Sequence, residues 1–364
     1  MEGSQFPSLR VGRIAAILTL SVFTFAGRTS AQQPLPTLPT SGMPARSYAG
    51  LVDAVSPQQA LAGPATVAPP AYYPDPGGSA PGCRPEMRLM DTIRESLCGE
   101  GQWRPLTLDT FFSEGWREPW AGGPAGRSGL TPRHGWLGAF EGVFYRLWLV
   151  NGTYQNNVNK PSGGHAYGSN FTTFLPFNRR FELFFNAPFV STNGTVDPTR
   201  GYETDFGDLQ VAGSFLLSET EAVTHLFTLG MTLPTGRTET GGGLTTIFPR
   251  YSFWSNPVGA WVVRGGSGIN VPLNDASGNT TFNGDVAVGR YFRPHDVPFG
   301  DLVFYVNGNV VTPLEGGGPT TVGVGPGTRF QIAGNWYFLN YYEVQVAGSK
   351  PYSFQVQAAI VKAW

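Results

Sequence analysis

Histidines have the widest catalytic and metal-binding chemistry in this sequence, and the chain has four: His134, His165, His225 and His295. No two of them have the His-x-x-x-His or His-Glu-x-x-His spacing that places two ligands on one metal. His165 and Ser169 are the nearest candidate base and nucleophile, as in hydrolases embedded in membrane barrels. Four residues along a strand span about 13 Å, too far for proton transfer. The sequence therefore predicts no catalytic residue, no metal site, no cofactor and no enzyme.

Charged side chains form the second group with possible chemistry. Eight of them fall on the polar faces of alternating segments and are predicted to point into a shared interior. There they could line a narrow channel that selects solutes by size and charge, or pair with one another and fill a closed interior. The eight are Glu141, Glu182, Asp208, Arg250, Arg264, Asp285, Arg329 and Glu343.

The elements that must position these residues are strands. From about residue 135 onward, apolar and polar residues alternate with a period of two, which indicates strands with one apolar and one polar face. Segment 209–217 shows the pattern, with Leu209, Val211, Phe215 and Leu217 opposite Gln210 and Ser214. Twelve strands are predicted, over 135–150, 164–176, 180–191, 205–217, 223–234, 245–254, 259–271, 281–293, 301–313, 320–337, 339–348 and 352–363.

Connections between these strands alternate in length. Tight turns are predicted at 178–179, 255–258 and 339–340, and longer loops at 151–163, 192–204 and 235–244. This alternation is typical of an all-β, antiparallel transmembrane β-barrel with periplasmic turns and external loops. Aromatic residues near strand ends suit girdles at the membrane interfaces: Trp136, Phe189, Trp254, Trp261, Tyr291, Tyr337 and Phe338. A soluble β-sandwich is the alternative fold.

Both ends of the predicted barrel carry further signals. Alternating apolar residues lead to a terminal Trp364, which resembles the signal that outer-membrane proteins present to the barrel-assembly machinery, although Lys362 departs from it. In the first strand Phe140, Phe144 and Trp148 share parity with Arg146, which requires a bulge or an arginine that reaches an interface. The seam between the first and last strands is therefore the least regular part.

The region before the barrel has three parts. Residues 1–31 are expected to be a secretory signal peptide, because Arg10 and Arg13 precede a short apolar run and a small-residue cleavage site. Residues 32–82 are rich in Pro, Ala and Gly and are expected to be a disordered linker. Residues 83–134 are expected to be a periplasmic segment or a plug, with one short helix over 86–97 that places Met87, Met90, Ile93 and Leu97 on one face. In an oxidising compartment Cys83 and Cys98 could form a disulfide.

Composition supports this assignment. Only 13% of the 364 residues are charged, where soluble proteins have about a quarter, and 49 Gly and 31 Pro indicate many turns. The net charge of −1 gives no basic field for nucleic acid. After the N-terminus the sequence contains no 18-residue apolar run, so membrane-spanning helices are not expected.

One motif resembles a known family. Leu233-Pro234-Thr235-Gly236-Arg237, followed by a Gly-rich loop and a strand, is similar to the meta-pathway phenol-degradation porin family. The stretches 105–116 and 136–148 resemble barrels of planctomycete-type bacteria. The resemblance implies passage of small, hydrophobic or aromatic molecules and carries over no catalytic residue.

The sequence thus predicts a channel or transporter in the cell outer membrane of a Gram-negative bacterium. Its expected partners are outer-membrane lipid, the assembly machinery and a small solute. The alternatives are a membrane-embedded lipid hydrolase and a structural or surface-display barrel with a filled lumen. Absence of a His/Ser constellation argues against the hydrolase.

Overall fold

A computed structural model describes residues 88–99, 101–127, 129–159, 163–192, 201–237, 240–274, 279–315, 318–348 and 351–364. The expected signal peptide, the expected linker and Cys83 lie outside these residues, so the disulfide to Cys98 stays a prediction. One helix, α1 (Leu89–Cys98), precedes the strands. No helix among the described residues is both long and apolar enough to cross a membrane.

Thirteen strands follow the helix: β1 (Leu147–Asn159), β2 (Gly163–Pro176), β3 (Phe181–Thr192), β4 (Glu203–Phe206), β5 (Leu209–Glu219), β6 (Val223–Leu233), β7 (Thr246–Val258), β8 (Trp261–Pro272), β9 (Thr281–Tyr291), β10 (Val303–Pro313), β11 (Thr321–Ala333), β12 (Trp336–Ala347) and β13 (Phe354–Ala363). Twelve of them close an antiparallel barrel, in which each strand pairs with the next and β13 pairs with β1. The extra strand, β4, precedes β5 and pairs with the same strand, β3. Gly207 and Asp208 separate β4 from β5. The predicted twelve-strand antiparallel barrel is confirmed.

The seam is regular, although the sequence suggested otherwise. β1 and β13 pair without a register shift from Leu147 opposite Ala363 to Asn156 opposite Phe354. Lys362 lies between Trp148 and Trp336 of the neighbouring strands, and its ammonium is 5.3 Å from the centre of the Trp336 ring. A long side chain that reaches the barrel end over an aromatic ring is compatible with the outer face.

Several predicted boundaries were wrong. The turn predicted at 255–258 lies within β7, which continues to Val258, and the tight turn is at 259–260. The strand predicted over 205–217 is interrupted at 207–208.

Two other strands also differ from the prediction. The first strand begins at Leu147 rather than near residue 135, and it continues through the predicted loop 151–163 to Asn159. The strand predicted over 320–337 ends at Ala333, and the turn lies at residues 334–335 rather than 339–340. Gly334 has φ of 49°, a left-handed conformation that suits a tight turn and favours glycine.

The barrel has two different ends. Its "turn end" carries the short connections at residues 177–180, 220–222, 259–260 and 334–335, the longer connection 292–302, and both barrel termini. Its "loop end" carries the remaining connections, of which four span 193–202, 234–245, 273–280 and 314–320. The predicted alternation of short and long connections is therefore present with two exceptions, the short connection 160–162 at the loop end and the long connection 292–302 at the turn end.

Outer and inner faces differ in polarity. Outward residues include exposed large apolar side chains such as Phe171, Leu229, Val288, Phe304 and Ile360. Inward positions carry buried polar and charged residues, for example Asn151, Thr172, Asn307 and Gln331. A barrel dissolved in water would have the reverse arrangement, so the outer face is suited to an apolar surrounding.

The predicted helix is present as α1, and its most buried residues are polar. Its buried residues are Thr92 and Ser96, whereas Leu89 and Met90 are 58% and 72% exposed. The Ser96 hydroxyl accepts a hydrogen bond from the Trp120 amide at 2.7 Å, and the Thr92 hydroxyl donates to the Arg117 carbonyl. Hydrogen bonds, rather than the apolar face, attach this helix to the chain.

Candidate functional site

The barrel interior contains a segment of its own chain, residues 133–146, which we call the plug. The plug has no regular secondary structure. Its contacts reach inward side chains on β3, β7, β8, β9, β10 and β11. A segment that touches strands on opposite sides of a closed barrel must lie inside it. The segment predicted as the first strand therefore enters the lumen before β1 begins.

Inward side chains donate hydrogen bonds to the plug's carbonyls. Arg264 donates to His134 and Phe140 at 2.7 Å each, and Tyr305 donates to Leu137 at 3.0 Å. Further donors reach Gly135 from Arg329, Gly138 from Asn307 and Glu141 from Ser252. An irregular buried segment cannot satisfy its own backbone groups, so the strand side chains must do so. These bonds fix the plug in one position.

Apolar packing around the plug fills the turn half of the lumen. Trp136 is 2% exposed and stacks on Tyr305, with ring centres 4.7 Å apart and an interplanar angle of 11°. The same core contains Leu137, Val143 and Tyr145 of the plug and inward residues of the strands around it. A cavity of only about 30 Å³ remains between the plug and the wall near Leu339 and Val361, which is room for roughly one or two waters.

This core corrects the predicted aromatic girdle. Trp136, Trp254, Tyr291 and Tyr337 are 1–3% exposed and belong to the interior core. Trp261 and Phe189, in contrast, are exposed on the outer face. Strand parity separates the two groups, because inward positions are even on β7 and odd on β9 and β12.

A second segment, residues 101–120, lies against the turn end, and we call it the strap. Leu106 forms a β-bridge with Glu219. The Arg179 amide donates to the Glu118 carbonyl at 3.1 Å, and the Arg180 guanidinium donates to the carbonyls of Glu114, Leu216 and Thr107. The plug is a separate, later segment, and the role of the strap as a periplasmic segment stays a prediction.

Arginine and glutamate join the strap, the barrel and the start of the plug. Arg133 pairs with Glu219 at 2.9 Å, and Glu219 also contacts Arg179 at 3.4 Å. Burial lowers the pKa of Arg133 and of Arg179, against the opposing effect of Glu219. Sequence reasoning missed these residues. The one signal was the unusual Arg179-Arg180 pair in a short turn, which had no partner within the pattern of alternating strands.

Close backbone packing at Gly142 gives a first testable prediction. A Cβ atom there would lie 2.5 Å from the Phe253 carbonyl oxygen and 2.9 Å from the Trp254 nitrogen, and neither backbone group can move aside. Gly142→Ala is expected to lower the free energy of unfolding by about 1–3 kcal/mol through overpacking. Urea unfolding of the refolded barrel measures it. Gly152→Ala is the control, because its Cβ would meet only the Ala358 oxygen at 3.8 Å. Equal losses in both variants would contradict close apposition of the plug to β7.

The eight predicted lumen residues have three different locations. Five lie on inward strand faces and are 0–6% exposed: Glu182, Arg264, Asp285, Arg329 and Glu343. Arg250 is also inward and stacks on Phe140 of the plug at 5.1 Å.

The other two predicted residues are not on the barrel wall of the lumen. Glu141 belongs to the plug and pairs with Arg264 at 3.1 Å. Asp208 lies at the loop end, where its carboxylate accepts hydrogen bonds from the amides of Gly236 and Gly242 at 3.0 and 2.6 Å. Asp208 therefore contacts the connection between β6 and β7, and it lies in the break before β5 rather than within a strand.

His165 and Ser169 remain separate on β2. The His165 Nδ1 atom lies 2.9 Å from the Tyr154 hydroxyl. His165 and Ser169 are both at odd positions of β2, which face outward. Four residues on one strand keep them about 13 Å apart. The structure thus does not bring this pair together.

A histidine–aspartate cluster holds the entry of the plug at the turn end. The Asp301 carboxylate lies 3.4 Å from Nε2 of His134 and 2.6 Å from Nδ1 of His295, and the Tyr337 ring packs on His134. Burial, together with the charge of Arg329, lowers the pKa of His134 to about 4, despite the opposing effect of Asp301. Burial would raise the pKa of Asp301, but the hydrogen bonds of the two histidines outweigh it and lower the pKa to about 2.

These shifts predict weaker plug attachment in acid. His134 stays neutral in the folded protein down to about pH 4, whereas the unfolded chain takes up the proton near pH 6.5. The contribution of neutral His134 to the free energy of unfolding is therefore fully present above pH 6.5, and it decreases as the pH falls toward 4. The urea midpoint should be lower at pH 5 than at pH 7.5, and the decrease should be smaller in His134→Gln. An unchanged decrease in that variant would assign the effect to other groups, since Asp301 titrates only below this window.

Comparisons with known proteins show distant similarity. No protein-family model matches the chain, and no curated protein matches it in sequence. An outer-membrane channel from Pseudomonas putida F1 is 13% identical with a TM-score of 0.49, over 62% of this chain and 97% of that one. The KdgM porin is 8% identical (TM-score 0.40) and the NanC porin 11% identical (TM-score 0.41), each over 60% of this chain and 99% of its own. These similarities are too distant to assign a function, and the phenol-degradation resemblance stays a prediction.

Proposed function

We propose that the protein is a bacterial outer-membrane channel that passes small polar solutes and is gated by the plug. One observation carries the proposal: a closed barrel with a polar interior is blocked across its turn half by an irregular segment of its own chain. Helical and strand elements are hard to displace, because their backbone hydrogen bonds are internal. The plug is held by side-chain contacts, so it can move while all strand pairs of the barrel stay intact.

Membrane insertion follows from the outer face. Its apolar side chains would be unstable in water and are stable in lipid. The twelve strands that close the barrel have 10 to 14 residues, enough to span the hydrocarbon region when tilted. Short connections and both barrel termini at one end favour placing the turn end in the periplasm. In that orientation the strap lies beneath the periplasmic mouth, and β13 is the strand that the assembly machinery would bind.

The lining of the loop half favours polar solutes over the hydrophobic or aromatic ones that the resemblance implied. Inward residues there include Asn170, Asn186 and Thr172, which hydrogen-bond one another at 2.8–3.1 Å. Asn283, Asn309 and Gln355 continue the polar surface around the barrel. Neutral hydrogen-bonding groups replace part of a polar solute's hydration, whereas an apolar solute gains little from them.

Bilayer conductance tests the proposal. The wild-type barrel is expected to be closed at rest and to open in brief steps under voltage or in dilute urea. A variant in which residues 134–145 are replaced by a Gly/Ser linker of equal length should conduct continuously, because it lacks the contacts of the plug. Circular dichroism confirms that the barrel itself is intact. No conductance and no solute uptake by liposomes with either protein would refute the channel.

A structural barrel with a permanently filled lumen is the second candidate. The density of the plug's contacts favours it, since six of the plug's carbonyls accept hydrogen bonds from inward side chains. The same experiment separates the two. A filled structural barrel predicts that the linker variant conducts while the wild type never opens under any voltage or urea concentration that leaves the barrel folded.

A further inference from the structure

The loop half of the lumen contains a cavity of about 420 Å³ directly above the plug. Its floor is formed by Gly138 and Phe140 of the plug, and Pro351 and Tyr352 of the last connection lie at its mouth. Inward residues of β9 to β13 form the wall. A volume of this size accommodates a small organic molecule. A solute entering from the loop end would meet this cavity before the plug.

Charged residues in the cavity are of one sign. Asp285 and Glu343 line it, and among the residues that the structure describes they are the charged ones in its wall. Two arginines that act on Asp285 have further contacts: Arg264 donates to the plug, and Arg250 lies between the rings of Phe140 and Phe248. The charged groups in the described wall of the cavity are therefore both acidic, which favours a cationic occupant over an anionic one.

The Glu343 carboxylate is surrounded by neutral hydrogen-bond donors. It is 2% exposed, and its two oxygens accept hydrogen bonds at 2.5–2.9 Å. The donors are Asn309, Tyr341, Gln345 and Tyr352. Gly323 makes room for this arrangement, since a Cβ there would lie 2.7 Å from the carboxylate. Four donors orient the carboxylate and leave its charge to be balanced from the cavity.

Two acceptor atoms in the wall have no hydrogen-bond partner among the described residues. Asp285 is 6% exposed, and its Oδ2 accepts from the Phe140 amide at 2.9 Å, while Oδ1 has no partner. Gln345 is 7% exposed, and its Oε1 has none either. Buried acceptors without donors destabilise the protein, so an occupant that supplies N–H or O–H groups is favoured.

We propose that this cavity binds a small organic cation with N–H donors, such as a protonated primary amine. The ammonium group would donate to Asp285 and Gln345, its charge would be balanced by Asp285 and Glu343, and the rings of Phe140 and Tyr352 would contact its alkyl part and its charge. The inference rests on the proposed function, because the bound cation would be the transported solute, held next to the plug before it opens. Phe140 and Asp285 are joined by a hydrogen bond, so the occupant also touches the plug's anchor.

Calorimetry on the refolded barrel in detergent tests the site, with butylammonium as the probe. Butanol tests whether the positive charge is needed, and butyrate tests the sign of the charge. Tetramethylammonium tests whether N–H donors are needed, and Ca²⁺ tests whether the site prefers a metal ion. Butylammonium should bind most tightly. Asp285→Asn and Glu343→Gln should each weaken its binding about tenfold or more. The control, Asp205→Asn, removes a carboxylate that pairs with Arg237 at the loop end and should have no effect.

Three results would overturn the cation site: no binding of butylammonium to the wild type, equal or tighter binding of butanol or butyrate, or tighter binding of Ca²⁺ at the same residues. Binding requires neither a membrane nor an open plug. A barrel that binds the amine and never conducts would thus refute the channel and keep the site, whereas one that conducts without binding would refute the site alone.

Discussion

Replacing Arg264 with alanine is expected to detach the plug and convert the closed barrel into one that conducts continuously. Arg264 is fully buried on β8. Its guanidinium donates to the His134 and Phe140 carbonyls, to the Glu141 carboxylate at 3.1 Å and to the Tyr145 hydroxyl at 3.2 Å. Those partners span both halves of the plug, so one side chain fixes the whole segment.

The size of the effect follows from what the variant leaves behind. Glu141 is 35% exposed and would lose its cationic partner, and two buried carbonyls would lose their donors. Each carbonyl that loses its donor is expected to cost about 1–3 kcal/mol, and Glu141 adds little because water can solvate it. That loss falls on the plug's attachment, because the strand ladders of β8 with β7 and β9 do not involve the side chain. A protease should also cleave the plug faster than in the wild type.

Arg290→Ala is the matched control. Arg290 lies on the neighbouring strand β9, opposite Trp261 in the register, but faces outward over the Trp261 ring at 5.8 Å. Its removal should change neither conductance nor proteolysis of the plug. If Arg264→Ala stayed as closed as Arg290→Ala, the plug would be held mainly by its apolar core and Arg264 would not be its principal anchor.

The barrel could be predicted because its signal is local. Alternation within β5 or β13 depends only on neighbouring residues facing lipid or lumen, and the boundaries of β2, β3 and β6 agree with the sequence to within one residue. The inward positions of Glu182 and Arg264 follow from the same parity. Tight turns such as 177–180 are marked by polar residues between two alternating runs.

The plug could not be predicted because its signal is not local. Phe140 and Phe144 continue the aromatic character of Trp148, so residues 135–146 resemble a strand with irregular parity. Their true partners, such as Tyr305 and Asn307, lie more than 160 residues away in the chain. A period-two pattern identifies the face that a residue occupies, but not whether that face meets solvent or another segment. The irregular position of Arg146 was the sign of the plug in the sequence. Arg146 lies at the end of the plug, before β1, and donates to the carbonyls of Gly99 and Trp364.

Replacing Trp136 with alanine is the second large effect, and it should act on stability. The indole stacks on Tyr305, its Nε1 donates to the Tyr291 hydroxyl at 3.3 Å, and the Arg264 guanidinium lies 5.5 Å from its ring. Truncation of a buried tryptophan to alanine costs about 3–5 kcal/mol, through lost burial and the cavity that remains. Urea unfolding followed by far-UV circular dichroism measures the loss without depending on the deleted fluorophore.

Trp261→Ala is the matched control, since this tryptophan is at the same end of the barrel but 44% exposed on the outer face. Its loss of stability should be much smaller, and equal losses would place Trp136 outside the core. A double-mutant cycle with Tyr305→Ala isolates the stacked pair, whose coupling is expected to be about 0.5–1.5 kcal/mol. Because Trp136 also touches Arg264, Trp136→Ala should raise conductance as well. A barrel that lost stability but stayed closed would show that the polar anchors alone keep the plug in place.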